Sequence, residues 1–500
     1  MLDNLLLGFS ISLSFGNLLY CFFGCLLGTI VGILPGIGPG GTIVLLLPFT
    51  LKLDVTSAII MLSGIYYGVA YGGTLTSVLM NIPGEVSTIV TCIDGYQMAR
   101  KGRAGPALGI AAFGSFFAGT LSTVGIMIVA PTLASFALSF GPAEFTALMV
   151  GGLALVTYLS SKSYIKSLIM AVVGLILGCV GLDPVSGAER FTFGSLTLLD
   201  GVNIAPLAMG IYGIGEVLAM TEEEGVNVFI RTSYKLKDLL PTKQDWKDSA
   251  GPIGRGSLLG FFLGLIPGGG AVLSSFLSYG LEKRISKHPE KFGQGAIEGV
   301  AGPESANNSG TAAAFIPLLI LGLPFNVVTA FILIAFMMHG VTPGPFILTK
   351  YPEVFWGVVT SMYIGNVMLL ILNLPLIRIF VPILRTPYAV LAPLIAFICF
   401  VGGFCQSYNP MDVLLMVFFG FVGYLLRKFD YEPAPLLLAY VIGPMLERAV
   451  RQSLILSSGN PNIFIKRPIS LVILSIVFLS LSAPFFKKAY GALSKKVGRR

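Results

Sequence analysis

Charge is scarce in this chain. Of its 500 residues, 32 are Lys or Arg and 24 are Asp or Glu, so charged side chains make up only 11% of the sequence. Histidine is scarcer still, with His288 and His339 the two in all, and six cysteines (Cys21, Cys25, Cys92, Cys179, Cys399, Cys405) form no CxxC pair. These shortages exclude a zinc site and a disulfide framework, and they leave few residues for hydrolytic or metal chemistry. Cys21 and Cys25 share a helix face but read as small core residues. The N-terminus carries Asp3 and no Lys or Arg before a long apolar stretch, so no secretory signal is expected.

Apolar residues are abundant instead. At 55% hydrophobic and a mean hydropathy of +0.86, a chain of this length is too apolar for a soluble fold. It reads as an all-α polytopic membrane protein with about 11 to 14 full or broken transmembrane helices. First-half windows lie at 17–34, 55–82, 104–130, 145–159, 164–181 and 202–220; second-half ones include 257–266, 310–323, 327–340, 354–382, 391–403, 413–426, 434–444 and 471–484. The net charge of +8 sits in loops and at the tail, where Lys487, Lys488, Lys495, Lys496, Arg499 and Arg500 suggest a cytoplasmic C-terminus. Because basic residues flank spans and form no domain, nucleic acid is not an expected partner.

The chain divides by composition. Residues 1–16 suggest an interfacial helix interrupted by Asp3, Asn4 and several serines. Residues 17–220 form a first transmembrane repeat, 221–255 a polar inter-repeat loop, 256–456 a second repeat, and 457–500 an extra span with a basic tail.

Two breaks nearly repeat each other: Gly32-Ile-Leu-Pro-Gly-Ile-Gly38 and Gly264-Leu-Ile-Pro-Gly-Gly-Gly270. Proline removes a backbone donor and glycine relaxes dihedral limits, so a helix reaching Pro35 or Pro267 stops there. In lipid, broken backbone survives only where protein buries it or a polar cavity hydrates it. Paired interruptions in two halves point to a transporter's binding site. A second pair follows in the same order: Tyr71-Gly-Gly-Thr74 leading to Asn81-Ile-Pro-Gly84, and Asn308-Ser-Gly-Thr311 leading to Gly322-Leu-Pro324. The expectation is two repeats with discontinuous helices and re-entrant Pro-Gly loops, and transporter precedent favours an inverted pair.

After Gly38 and Gly270 the sequence becomes helix-compatible again, so each loop offers the free N–H groups of a new helix N-terminus, suited to a carboxylate. The expected substrate-binding residues are Gly36, Gly38, Gly40, Thr74, Asn81, Gly268, Gly269, Gly270, Ser274 and Ser275, with Ser278 on the same face as the two serines. The densest polar run in apolar surroundings is Glu298 to Thr311. Glu304, Asn307, Asn308 and Ser309, with carbonyls freed near Pro303 and Gly310, supply oxygens that suit a small coupling cation, Na+ or H+. A first-half counterpart comprises Tyr66, Tyr67, Tyr71, Thr74, Thr76, Ser77 and Asn81, followed by Glu85, Ser87, Thr88 and Asp94. Glu144, Glu216 and His339 read as satisfied interior or interface contacts, and no cofactor is expected.

At these motifs the chain resembles the large membrane subunit of the tripartite tricarboxylate transporters, the TctA family. The carriers are Gly32 to Pro39 with Leu47-Pro48, Tyr71-Gly-Gly73, Asn81 to Gly84, Asp94 to Gly102, Pro267 to Gly270, Ser278 to Glu290 and Glu298 to Asn308. Two positions depart from the family pattern: Gln97 stands where proline is usual, and Phe325 where glycine is expected after Pro324. The resemblance implies uptake of di- or tricarboxylates by Na+ or H+ symport across the cell inner membrane. It implies two partners, a small TctB-like membrane subunit and a TctC-like extracytoplasmic solute-binding protein. An intramembrane enzyme and a passive channel or scaffold are the alternatives; no GxGD pair, DDxxD-like site or Ser–His dyad supports the first, Ser309 and His339 being a nominal pair with no supporting motif.

Overall fold

The computed structural model describes residues 2–34, 38–159, 163–183, 186–222, 236–268, 270–380 and 388–479. Helices α1 (Leu2–Ser12), α2 (Phe15–Ile33), α3 (Gly38–Thr50), α4 (Val55–Met80), α5 (Ile89–Arg100), α6 (Ala104–Ala137), α7 (Pro142–Leu159) and α8 (Tyr164–Gly178) come first. A two-residue antiparallel pair, β1 (Gly181–Leu182) with β2 (Glu189–Arg190), is the only sheet among the described residues. α9 (Ile204–Met209) passes through a π turn into α10 (Gly215–Met220). Then come α11 (Leu236–Leu239), α12 (Lys243–Gly264), α13 (Gly270–Ile285), α14 (Glu298–Ala313), α15 (Val327–Met338), α16 (Ile347–Lys350), α17 (Pro352–Asn373) and α18 (Ile377–Phe380). The series closes with α19 (Tyr388–Ser407), α20 (Pro410–Lys428), α21 (Ala434–Leu456), α22 (Ile463–Lys466) and α23 (Pro468–Leu479). Among them α2, α4, α6, α17 and α20 are long and apolar enough to cross a membrane.

The chain forms two compact units, Met1–Ser135 with Asn203–Asp430, and Phe136–Val202 with Tyr431–Arg500. In the second, α21 packs on α7 and α8. There Arg190 and Arg451 bind Asp183 and Glu447 beside the β pair.

The first unit is organised by glycine. On α2, a Cβ added at Gly24, Gly28 or Gly32 would fall on the carbonyl oxygens of Met61, Ile65 or Val69 of α4. Gly64, Gly68 and Gly72 answer from α4 at the same spacing. α12 and α14 meet in the same way, Gly256, Gly260 and Gly264 lying on the carbonyls of Gly302, Ala306 and Gly310. Small residues every fourth position let two backbones touch, the main source of helix affinity where lipid removes the hydrophobic drive. Each glycine helix then ends at its Pro-Gly break: α2 at Ile33 and α12 at Gly264.

Three windows differ from the hydropathy reading, one of them 354–382, where α17 ends at Asn373 and α18 follows as a separate helix. α12 begins at Lys243, well before the apolar window at 257, because Thr242 and Asp245 form a reciprocal capping box that starts the helix inside polar sequence. The window 310–323 is not one helix: α14 ends at Ala313, and a π turn at Pro317–Leu321 leads to Gly322 in the left-handed region (φ 67°). Asn81, the C-cap of α4, takes the same conformation (φ 60°) at the first break. Of the polar stretch 221–255, residues 223–235 lie outside the described residues, as do the basic tail and the end of the last apolar segment.

Candidate functional site

Helices restart directly after both Pro-Gly breaks. α3 begins at Gly38 (φ 62°) and α13 at Gly270, with Gly268 (φ 85°) just before it. Gly36 and Gly269 lie outside the described residues. Both restarts adjoin one short segment. Gly268 donates its N–H to the Phe325 carbonyl at 2.9 Å, while a Cβ on Gly40 would meet Phe331 at 3.4 Å and Val327 at 3.6 Å. That segment is itself a helix start: Asn326 caps α15, its Oδ1 accepting from Thr329 N at 2.9 Å while Thr329 Oγ1 accepts from Asn326 N. Asn326 Nδ2 also donates to Tyr66 Oη at 3.1 Å. Three helix N-termini thus gather around residues 325–327, and their partial positive charges reinforce one another.

The expected side-chain donors divide. Ser274 and Ser275 are buried against α14 and donate to backbone, Ser274 Oγ to Ala271 O and Ala306 O (2.9 and 3.0 Å), Ser275 Oγ to Ala271 O and Pro303 O (2.9 and 3.4 Å). Asn81 is exposed at the end of α4. Thr74 faces elsewhere, donating to Glu304 Oε2 at 2.8 Å.

The polar run at 298–311 is a continuous helix whose residues Gly299 to Ala313 are all buried. The carbonyls of Pro303 and Gly310 themselves are engaged; the one that the proline deprives of its helix donor lies four residues back, at Gly299. The helix runs on past both residues, so Gly310 O accepts from Ala314 N at 3.1 Å, while Pro303 O accepts from Ser275 Oγ. Glu304, 1% exposed, receives Thr74 on one oxygen and Thr91 on the other. Asn307 Nδ2 donates to Glu85 Oε1 at 3.3 Å, and its Oδ1 is buried without a partner among the described residues. Asn308 Nδ2 donates to Ser115 Oγ (2.7 Å) and Glu304 O (3.0 Å), whereas Ser309 binds Ser257 O at 2.5 Å and Ser122 Oγ. Glu304 and Asn307 consequently share a cluster with Glu85, Thr74 and Thr91, while Asn308 and Ser309 face α6 and α12. Neither Glu304 nor Glu85 makes an ion pair among the described residues.

Thr91 was not legible as a member, since nothing in Thr91-Cys-Ile-Asp94 marks it; the contact bridges 213 positions. Asp94 has a different task, its Oδ1 accepting from the N–H groups of Gly293, Gly295 and Ala296. The isolated polar residues behave as local contacts. Glu144 Oε2 accepts from Gly141 N at 2.8 Å, Glu216 pairs with Arg427, and His339 addresses the carbonyls of Ala335 (2.7 Å) and Thr50 (3.1 Å). Ser309 and His339 therefore do not address each other.

Multiple apolar spans, broken helices whose N-termini meet, and a buried carboxylate cluster with no basic partner among the described residues fit a multi-pass membrane protein of the transporter class. Residues 18–438 match the Tripartite tricarboxylate transporter TctA family. The chain belongs to that family. It is 49% identical over 477 residues to the "Uncharacterized 52.8 kDa protein in TAR-I ttuC' 3'region" of Agrobacterium vitis, covering 95% of this chain and 94% of the relative. A second Agrobacterium vitis protein, from the TAR-II ttuC' 3'region, is 49% identical over 217 residues, 43% of this chain and 90% of that one. No solved structure matches the chain.

Proposed function

We propose that the protein is the large transmembrane subunit of a binding-protein-dependent secondary transporter that takes up di- or tricarboxylates by cation symport with alternating access. The carrying observation is the gathering of the α3, α13 and α15 N-termini around residues 325–327, which suits an anionic carboxylate. Substrate carboxylates contact the N–H groups of Gly36, Gly38 and Gly40 and those of Gly269 and Gly270, with Gly268, whose own N–H is held by the Phe325 carbonyl, shaping the second turn. The coupling ion, Na+ or H+, offsets that charge at Glu304 and Asn307, with Asn308 and Ser309 behind them.

The equal glycine registers of α2 with α4 and of α12 with α14 support two repeats. An inverted relation of the two, with re-entrant Pro-Gly loops, is the arrangement that lets one site face either side in turn. The membrane is the cell inner membrane, and the partners are a small TctB-like subunit and a TctC-like solute-binding protein that delivers the substrate.

Proteoliposome uptake tests the reading. A panel of labelled di- and tricarboxylates is offered with and without a Na+ or H+ gradient, in the presence of the two partner subunits. Saturable, gradient-dependent accumulation of at least one acid is expected. Flux that merely equilibrates would identify a passive channel instead, and no flux with any acid would remove the carrier reading.

A further inference from the structure

Behind Thr74, which donates to Glu304 Oε2 at 2.8 Å, lies a cavity whose lining includes none of the expected cation ligands. Tyr71 and Thr74, one turn apart on α4, form one wall; Leu108 and Ala112 of α6, Leu75, and Asn373 at the end of α17 complete it. It has room for about one water. Two polar atoms of these residues, Tyr71 Oη and Asn373 Oδ1, are buried and have no hydrogen-bond partner among the described residues. Leaving such an atom unmet costs about 1–3 kcal/mol, so an occupant is called for.

The surroundings define its charge. Asn373 Nδ2 is committed to Leu369 O at 3.0 Å, which orients the amide oxygen. The Thr74 hydroxyl hydrogen is directed to Glu304 Oε2, which leaves the lone pairs of Oγ1 for another partner. Glu304 is a buried carboxylate without an ion pair among the described residues, and the cavity also lies at the C-terminus of α17, the negative end of that helix. A water would meet Tyr71 and Asn373 yet leave the negative helix end uncompensated, and with it the charge of Glu304 whenever that carboxyl is ionised. An anion would be repelled. With neutral oxygens dominating and one carboxylate at hand, the set falls short of the six to eight oxygens a calcium ion takes.

We propose that this cavity binds one monovalent cation of sodium's size through Tyr71 Oη, Thr74 Oγ1 and Asn373 Oδ1, with Glu304 as its counter-charge. The proposal deepens the symport reading by assigning a Na+ site to residues from α4, α14 and α17, and it rests on that reading only for the use made of the ion.

The test is Na+ binding to the purified full-length chain, without substrate. Unfolding temperature and bound 22Na+ are measured as NaCl replaces choline chloride at constant ionic strength, with KCl and CaCl2 as parallel series. Wild type is expected to gain stability along a saturable one-site curve in Na+ and not in K+. Tyr71→Phe, which removes an oxygen that has no partner among the described residues, is expected to unfold in choline no earlier than wild type while its half-saturating Na+ rises about tenfold or more, the loss of one good ligand. Asn373→Leu is expected to shift the Na+ curve likewise. Equal stabilisation by Na+, K+ and choline would overturn the proposal, as would an unchanged Na+ titration in Tyr71→Phe or preferential stabilisation by Ca2+. Since no flux is measured, a chain that binds Na+ here but fails to accumulate any acid would count against the carrier and leave this site standing. A chain that accumulates acids and ignores Na+ would do the reverse.

Discussion

Asp94 and Tyr279 are joined at 2.9 Å, the tyrosine hydroxyl donating to Oδ2, while Oδ1 of the same carboxylate collects three backbone N–H groups at 2.9, 2.7 and 2.9 Å. α5 thereby holds both α13 and the loop that leads into α14, so one buried side chain fixes the approach to the Glu304 helix. In Asp94→Ala those N–H groups lose their acceptor and the loop its anchor. A destabilisation of about 3 kcal/mol is expected, since removing the acceptor from buried donors costs about 1–3 kcal/mol per group and partial rehydration recovers some of it. Asp94→Asn keeps one oxygen and is expected to lose about half as much. Thermal unfolding of the purified variants reads the difference; equal behaviour of Ala and Asn would mean that the oxygen is not the anchor.

The glycines of α12 separate into two kinds. Gly256, Gly260 and Gly264 lie on α14 backbone, whereas a Cβ at Gly254 meets nothing within 4 Å. Gly260→Leu therefore has to push α12 off α14, and loss of monodisperse protein in size-exclusion chromatography is expected. Gly254→Ala removes backbone entropy at no steric cost and is expected to gain about 0.5–1 kcal/mol. Similar outcomes for the two would contradict direct backbone contact between these helices.

Gly40 tests the anion reading. A Cβ there stands 3.4 Å from the Phe331 ring, so Gly40→Ala fits with a small adjustment, and a longer side chain extends into the region where the helix N-termini gather. Gly40→Leu is expected to abolish carboxylate uptake in proteoliposomes, whereas Gly40→Ala retains most of it. If Gly40→Leu folds and transports normally, substrate does not contact the start of α3.

The breaks were legible because proline and glycine act locally: Pro35 with Gly38, and Pro267 with Gly270, mark helix ends and restarts whatever surrounds them. Hydropathy failed where a helix is polar yet interior. α14 carries Glu304, Asn307, Asn308 and Ser309 and is nevertheless buried throughout, because small residues on its other faces seat it against α12 and α13. The start of α12 at Lys243 was hidden for a related reason: Lys243 to Asp248 is polar, and only the Thr242 and Asp245 caps announce a helix. The company Glu304 keeps was not readable at all. Thr74 and Thr91 reach it across 230 and 213 positions, and ordinary threonines on helices give no sign of such distant partners.

Acid sensitivity in the second unit follows from Glu447, which lies beyond the apolar stretch ending at Pro444. Hydrogen bonds from Arg190 at 2.8 and 3.3 Å, opposed by partial burial and aided by the charges of Arg190 and Arg451, hold its carboxyl below the usual carboxylate value. A carboxyl that is more acidic folded than unfolded stabilises the fold fully above its unfolded value, about 4.3 for Glu, and loses that contribution as pH falls through the folded value. Glu447→Gln keeps the shape and removes the charge. At pH 7 it is expected to cost about 1–2 kcal/mol, the range for a partly exposed, doubly bonded Arg–carboxylate pair. The gap to wild type is expected to narrow only below about pH 4, when the native carboxylate is itself protonated. Unfolding midpoints of both proteins at pH 7, 5 and 3.5 measure this; a gap that stays constant to pH 3.5 would show that packing, and not charge, ties Glu447 to Arg190.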